Sequence, residues 1–154
     1  MNYDRNPHQY TTQKQGDQET MSNAERVNEF FTKPQTFYLA TEDGNQPKCR
    51  PMGLHLLLDG VVYFGVGGFK EVFKQMQANP LVEICATVES DFLRYYGKAV
   101  FETDDRIAER MLDDSPYLKS IYNEQTGKKL KVFHLEGGTA EFHAMSGAIE
   151  KFSL

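Results

Sequence analysis

Two short runs in this chain of 154 residues carry residue types that suit an anion. Gly65-Val66-Gly67-Gly68-Phe69-Lys70 joins the end of a β-branched apolar run to the start of a helical one. Glycine lets backbone approach a ligand closely, and a helix N-terminus offers unpaired amides with partial positive charge. Lys70 falls in the first helical turn, where a cation is mildly unfavourable to the helix itself, and Lys74 follows one turn later on the same face. A cation pair beside a glycine turn is what a phosphate requires; ordinary solvated lysines on a loop are the competing reading. The Gly-x4-Gly-Lys-Ser/Thr spacing of a nucleotide P-loop is absent. The second run is Arg50-Pro51-Met52-Gly53. Arg50 can form a two-pronged bond to a phosphate. Pro51 removes a ladder donor and so belongs at a sheet edge or bulge. Gly53 leaves room for a flat ring against the backbone.

Other chemistries find less support. None of the serines stands in a nucleophile elbow, the sharp strand-to-helix turn between glycines. His8, His55, His134 and His143 lack the close spacing of metal ligands, and hydrogen-bonded strand histidines are the plainer reading. Cys49 and Cys85 form neither a CxxC pair nor a disulfide framework, so both are expected as free thiols in a reducing compartment. His55 and Tyr95 remain candidates for groups that position a ligand.

The elements that must hold these runs follow from period and punctuation. Ser22-Asn23-Ala24-Glu25 is a capping box, with Val27, Phe30 and Phe31 at helical spacing and Lys33-Pro34 as the stop. Residues 36–41 read as a strand and 42–46 as a turn. Residues 47–58 read as one long strand interrupted by Pro51 and Gly53. Asp59-Gly60 is a hairpin signal leading into 61–66. A short amphipathic helix over 69–77 stops at Asn79-Pro80. Residues 81–88 and 92–103 pair around 89–91. Asp104-Asp105 opens a helix through Leu112, a further helical turn follows Pro116, and 130–135 with 139–145 make a last hairpin across Gly137-Gly138. Strands joined mainly by tight turns predict a mainly β fold with some α: an antiparallel split β-barrel of six to seven strands with three to four short helices. A ferredoxin-like sheet has too few strands for this pattern.

Residues 1–20 contain no aliphatic residue after Met1 and read as a flexible polar arm, with residues 21–154 as the domain. The formal net charge of −5 argues against nucleic-acid and anionic-membrane partners. No apolar run approaches the roughly 18 residues of a membrane span, and no signal pattern is present, so a soluble cytoplasmic protein is expected.

The run from Phe37 to Val82 resembles the pyridoxamine 5′-phosphate oxidase-like FMN-binding split barrels. The likeness is greatest to the small bacterial flavin reductase and nitroimidazole-resistance-like group. It is carried by Phe37-Tyr38-Leu39-Ala40-Thr41, by Asp43-Gly44-x-x-Pro47-x-x-Arg50-Pro51 and by Asp59-Gly60-x-x-Tyr63-Phe64-Gly65. Lys70-Glu71-Val72-x-Lys74-Gln75 and Asn79-Pro80-x-Val82-Glu83 continue it, and residues 93–101 match a later barrel strand. The resemblance implies a homodimer with FMN at its interface; from the histidine spacing above, no metal is expected. Arg50 and Lys70, with Lys74, would meet the phosphate. Pro51, Met52 and Gly53 would lie along the ring, Phe64, Gly65 and Val66 would line the site, and Phe92 would contribute from the later strand. It also implies an FMN-dependent oxidoreductase that takes hydride from NADH or NADPH and reduces a small aromatic or nitro acceptor. A non-catalytic flavin or haem carrier, or a stress-related protein, is the alternative on the same barrel. Many members of the family carry Thr or Ser after the third strand. Here Val66-Gly67-Gly68-Phe69 leaves only backbone amides and lysines for the phosphate. The C-terminal substrate signature of pyridoxamine phosphate oxidases themselves is missing, so that specific activity is not expected.

Overall fold

The computed structural model describes residues 20–154, so all of the expected N-terminal arm except Thr20 lies outside the described residues. The capping box opens helix α1, Asn23–Thr32: Ser22 Oγ accepts from the Glu25 amide at 3.1 Å, and the Ser22 amide donates to the Glu25 carboxylate at 2.6 Å. Strands β1 (Phe37–Asp43), β2 (Gln46–Met52), β3 (His55–Leu58) and β4 (Val61–Gly67) follow. Helix α2 (Glu71–Ala78) precedes β5 (Leu81–Val88) and β6 (Asp91–Phe101). Helices α3 (Asp105–Asp113) and α4 (Pro116–Ile121) precede β7 (Leu130–His143) and β8 (Ile149–Ser153).

All eight strands form one antiparallel sheet in the order β2-β1-β5-β6-β7-β4-β3, with β8 added to β7. The segment expected as one strand over 47–58 is two. Its first half pairs with β1, ending at Phe37↔Met52, and its second half pairs with β4, starting at His55↔Phe64. The three peptide steps between Met52 and His55 span at most about 11 Å, so the two outermost strands of the sheet lie side by side. The sheet is therefore curled into a barrel split between β2 and β3, and the chain itself bridges the split. Gly53 is tightly placed there, since a Cβ on it would come within 3.0 Å of the Gln35 carbonyl oxygen.

The expected hairpin at Gly137-Gly138 is instead a kink within the single strand β7. Gly137 takes φ +62, the register against β6 shifts between Tyr96 and Lys98, and a Cβ on Gly138 would strike the Tyr95 ring at 2.9 Å. The last hairpin lies farther on, where β8 returns along Thr139–His143. No sequence signal as strong as Asp59-Gly60 marks it.

Inward residues of the sheet alternate as a two-residue period requires. Phe37, Leu39, Val62, Phe64, Ile84, Leu93, Tyr95 and Phe133 fill the barrel, and α1 closes one end with Val27 and Phe31. Phe31 lies 4.8 Å from Phe37 and edge-on to Phe64 at 5.4 Å, while Phe64 stacks on Phe133 at 5.6 Å. Such pairs add about 0.5–1.5 kcal/mol each beyond area burial. On the other face of β4 and β7 a smaller cluster of Met111, Leu130 and Val132 seats α3. Among the described residues no helix is long and apolar enough to cross a membrane.

His55 ties α1 to β3, its Nδ1 lying 2.7 Å from Asn28 Oδ1. Burial holds the imidazole below its ordinary range. The unfolded chain therefore takes up a proton that the folded one resists. The stability His55 contributes is fully present above its unfolded pKa of about 6.5 and declines as pH falls below it. Urea midpoints should drop between about pH 7 and pH 5, and the drop should be smaller in His55→Gln. Equal slopes in both proteins would refute this assignment.

Candidate functional site

Arg50 emerges from β2 next to the split. Its Nη1 donates to the Leu39 carbonyl at 3.3 Å and to Thr41 Oγ1 at 2.6 Å, and its Nη2 donates to Gln75 Oε1 at 2.7 Å. Thr41 is buried and its hydroxyl also donates to Gln75 Oε1, at 2.7 Å. Strands β1 and β2 and helix α2 thus converge on one guanidinium. All these acceptors are neutral, and no carboxylate lies within ion-pair distance among the described residues. Burial pulls the Arg50 pKa below its ordinary value, with Cys49 pushing the other way. Of the five guanidinium N–H groups, Nε–H and one on Nη2 remain without a partner among the described residues.

The glycine turn comes to the same place from the far end of β4. Lys70 is the N-cap of α2 rather than a first-turn residue, and its side chain makes no capping bond, so the helix starts uncapped. Gly67 is hemmed in by protein: a Cβ there would meet the Phe69 ring at 3.0 Å and the Tyr122 hydroxyl at 3.1 Å. Gly65 makes room for Leu130 and Met111, and Gly68 for Lys131. These three glycines therefore allow β7 and the helical segment to pack closely onto the turn.

Between the two runs lies a cleft of 200 Å³. Seven of the ten residues expected at the site line it: Arg50, Pro51, Met52, Gly53, Gly65, Val66 and Lys70. Three do not. Phe64 is wholly buried in the barrel against Phe133. Lys74 points outward and pairs with Glu71 at 3.1 Å. Phe92 stacks on His143 at 4.4 Å in a separate depression beside Phe30.

The two candidate positioning groups are also elsewhere: Tyr95 is buried in the barrel, its pKa pushed up to about 12 by desolvation, and His55 is held by Asn28. His134 and His143 have their own partners, Glu102 and Glu141. Both cysteines are free.

Six lining residues were not among those expected: Leu54, Gly67 and Val72 neighbour the expected ones in sequence and Leu39 is the register partner of Arg50, whereas two come from a distant segment. Leu118 in α4 and Tyr122 just after it close the cleft from a segment more than fifty residues beyond Gly67. Burial raises the Tyr122 pKa, so the phenol stays a donor at neutral pH. Only the tertiary packing of this helical segment against the glycine turn reveals them.

A cleft with an arginine lacking any acid partner, a lysine and an uncapped helix start can neutralise a phosphate. The backbone from Pro51 to Gly53 offers a wall for a ring. The residues present thus fit FMN. The family model described as pyridoxamine 5′-phosphate oxidase matches residues 24–144. A NimC/NimA family protein from Clostridium acetobutylicum is 32% identical over 85% of this chain and 92% of that one, with a TM-score of 0.77. General stress protein 26 from Bacillus anthracis shares the fold at 15% identity, covering 86% of this chain and 100% of that one, TM-score 0.63. A heme binding protein from Mycobacterium smegmatis shares it at 17% identity, covering 86% of this chain and 58% of that one, TM-score 0.65. No curated protein matches the chain. The first seven strands, the split and the cleft fall within the matched span, and the chain belongs to the pyridoxamine 5′-phosphate oxidase family.

Proposed function

We propose that the protein binds FMN in this cleft and acts as a flavin-dependent oxidoreductase, with NADH or NADPH as reductant and a small aromatic or nitro compound as acceptor. The observation that carries this reading is the half-buried Arg50 guanidinium, held among the described residues by neutral acceptors alone and lining the cleft together with Lys70. A cation partly withdrawn from water without a counter-charge is costly, and a bound phosphate relieves that cost. When bound, FMN would supply the chemistry of hydride acceptance and electron transfer. The chain's own residues do the rest. Arg50 and Lys70 anchor the phosphate, Thr41 and Gln75 fix the guanidinium, and Pro51 to Gly53 support one face of the ring. Leu118 and Tyr122 exclude water.

At 200 Å³ the cleft is smaller than the roughly 300–1,000 Å³ typical of small-molecule sites. Its exposed rim at Pro51 is the register partner of Tyr38, whose ring is 49% exposed on the outer face of β1. A second copy seated on this face would complete the site, so the reading is of a homodimer.

Arg50→Ala and Lys70→Ala should each weaken FMN binding by about tenfold to a hundredfold in a fluorescence titration, the worth of one charge-assisted bond. Thr41→Val, which removes the hydroxyl between Arg50 and Gln75, should weaken it less while lowering stability by about 1–3 kcal/mol. Unchanged affinity in both cation variants would sink the site. Purified protein should carry a flavin spectrum that bleaches with NADH or NADPH and recovers faster with an added nitroaromatic; bound flavin inert to both would sink the enzyme. Tyr38→Glu should shift the sedimentation coefficient towards monomer and weaken FMN binding in step, whereas a monomeric parent protein would exclude the dimer.

A further inference from the structure

A pocket of 430 Å³, more than twice the volume of the cleft, opens between α3 and residues 122–130. Its floor is apolar, made of Ala108, Leu112, Leu130 and the ring of Tyr122. Tyr122 is also a wall of the cleft, so the two spaces share one side chain. The ridge beside that shared wall is Phe69, 48% exposed, with its ring 6.2 Å from that of Tyr122. Two ammonium groups flank this ring: Lys70 Nζ at 5.8 Å on the cleft side and Lys128 Nζ at 4.7 Å on the pocket side. Neither lysine has a carboxylate within ion-pair distance among the described residues. Across the pocket from Lys128, α3 presents Asp105 and Glu109, one turn apart, and Glu124 and Lys129 complete its charged lining.

This mixture of signs favours neither a plain anion nor a plain cation over a ligand that carries both hydrogen-bond donors and a phosphate, as a nucleoside phosphate does. An apolar floor with an aromatic wall takes a flat base. Carboxylates accept hydrogen bonds from vicinal ribose hydroxyls, as acidic residues do in dinucleotide-binding folds. Unpaired lysines on the ridge meet a phosphate. We propose that this pocket holds the adenosine phosphate end of a dinucleotide whose other half reaches the cleft, with the pyrophosphate crossing the Phe69 ridge between Lys70 and Lys128. The inference rests on the reading of the cleft as a flavin site. The same adenosine phosphate is presented by FAD, whose flavin half would be the one in the cleft, and by a reduced nicotinamide dinucleotide, whose nicotinamide would approach a flavin already bound there.

Calorimetric titration of the full-length protein with ADP tests the pocket. ADP should bind the parent protein, and Lys128→Glu should weaken it by about tenfold or more, the loss of one charge-assisted bond, with FMN affinity unchanged. Ala108→Trp should fill the pocket and abolish ADP binding; should that variant fail to fold, Lys128→Glu alone decides. The source is then read from two further numbers. FAD binding tighter than FMN, by a margin lost in Lys128→Glu, identifies the cofactor. Equal affinity for FAD and FMN, with a raised KM for NADH or NADPH in Lys128→Glu, identifies the reductant.

Absence of ADP binding to the parent overturns the proposal. So does ADP binding that Arg50→Ala abolishes and Lys128→Glu leaves intact, since ADP would then lie in the cleft, and so does a Lys128→Glu variant altered in neither flavin preference nor KM. Parent protein that binds ADP but not FMN would refute the flavin reading and leave the pocket standing. Binding of FMN without ADP would do the reverse.

Discussion

The molecule turns on a link of two residues. Gly53 and Leu54 carry the chain from β2, on one edge of an eight-stranded sheet, to β3, on the other. So short a link is possible only if the sheet curls until its edges meet, and that curl creates the enclosed aromatic core and the split beside it. An ordinary continuous strand would require a ladder partner along its whole length. Here Pro51 has no amide to donate, and Gly53 fits under the Gln35 carbonyl where a side chain would not. The interruption that ends strand pairing is therefore also what brings Arg50, the Pro51–Gly53 backbone and the glycine end of β4 to one cleft.

Charge at that cleft runs against the rest of the chain. A protein with a formal net charge of −5 has gathered Arg50 and Lys70 where, among the described residues, no carboxylate answers them, although other cations such as Arg26, Lys33 and Arg94 do have acid partners. Local arrangement, and not net charge, decides what a site attracts. Arg50 is also fixed in place before any ligand arrives. Thr41 and Gln75 hold it from a strand and a helix at once, so little side-chain entropy is left to lose on binding.

Most of the barrel was legible because its signals are local. The capping box at Ser22, the Asp59-Gly60 turn and the alternation through β4 each state their structure within a few residues. Two strands were misjudged for opposite reasons. Residues 47–58 look like one strand because period alone cannot tell which neighbours each half pairs with. Gly137-Gly138 looks like a hairpin because two glycines suit a tight turn as well as a kink, and only the close fit of Tyr95 over Gly138 decides between them. At the site, residue type predicted which groups could meet an anion, but not direction. Phe64 belongs to the inward set of β4, and its neighbour Gly65 faces α3. Lys74 lies one turn from Lys70, yet Glu71 takes it. Leu118 and Tyr122 were beyond reach, since nothing in their own surroundings points to a strand end so far back in sequence.

The segment that contributes those two residues also explains how one barrel can serve different ligands. Helices α3 and α4 enter between β6 and β7 and pack on the outer side of β4 and β7 through Met111, Leu130 and Val132, a cluster separate from the barrel interior. The barrel closes on its own aromatic core, so this segment can change length and sequence at small cost to the fold. Any such change would reshape the cleft wall at Tyr122 and the pocket behind it while Arg50 and the split stay in place. On the proposed reading the phosphate contacts come from β2 and the start of α2, and what hangs from that phosphate would be chosen by α3, α4 and the residues after them, which is where a shared fold can part from a shared function.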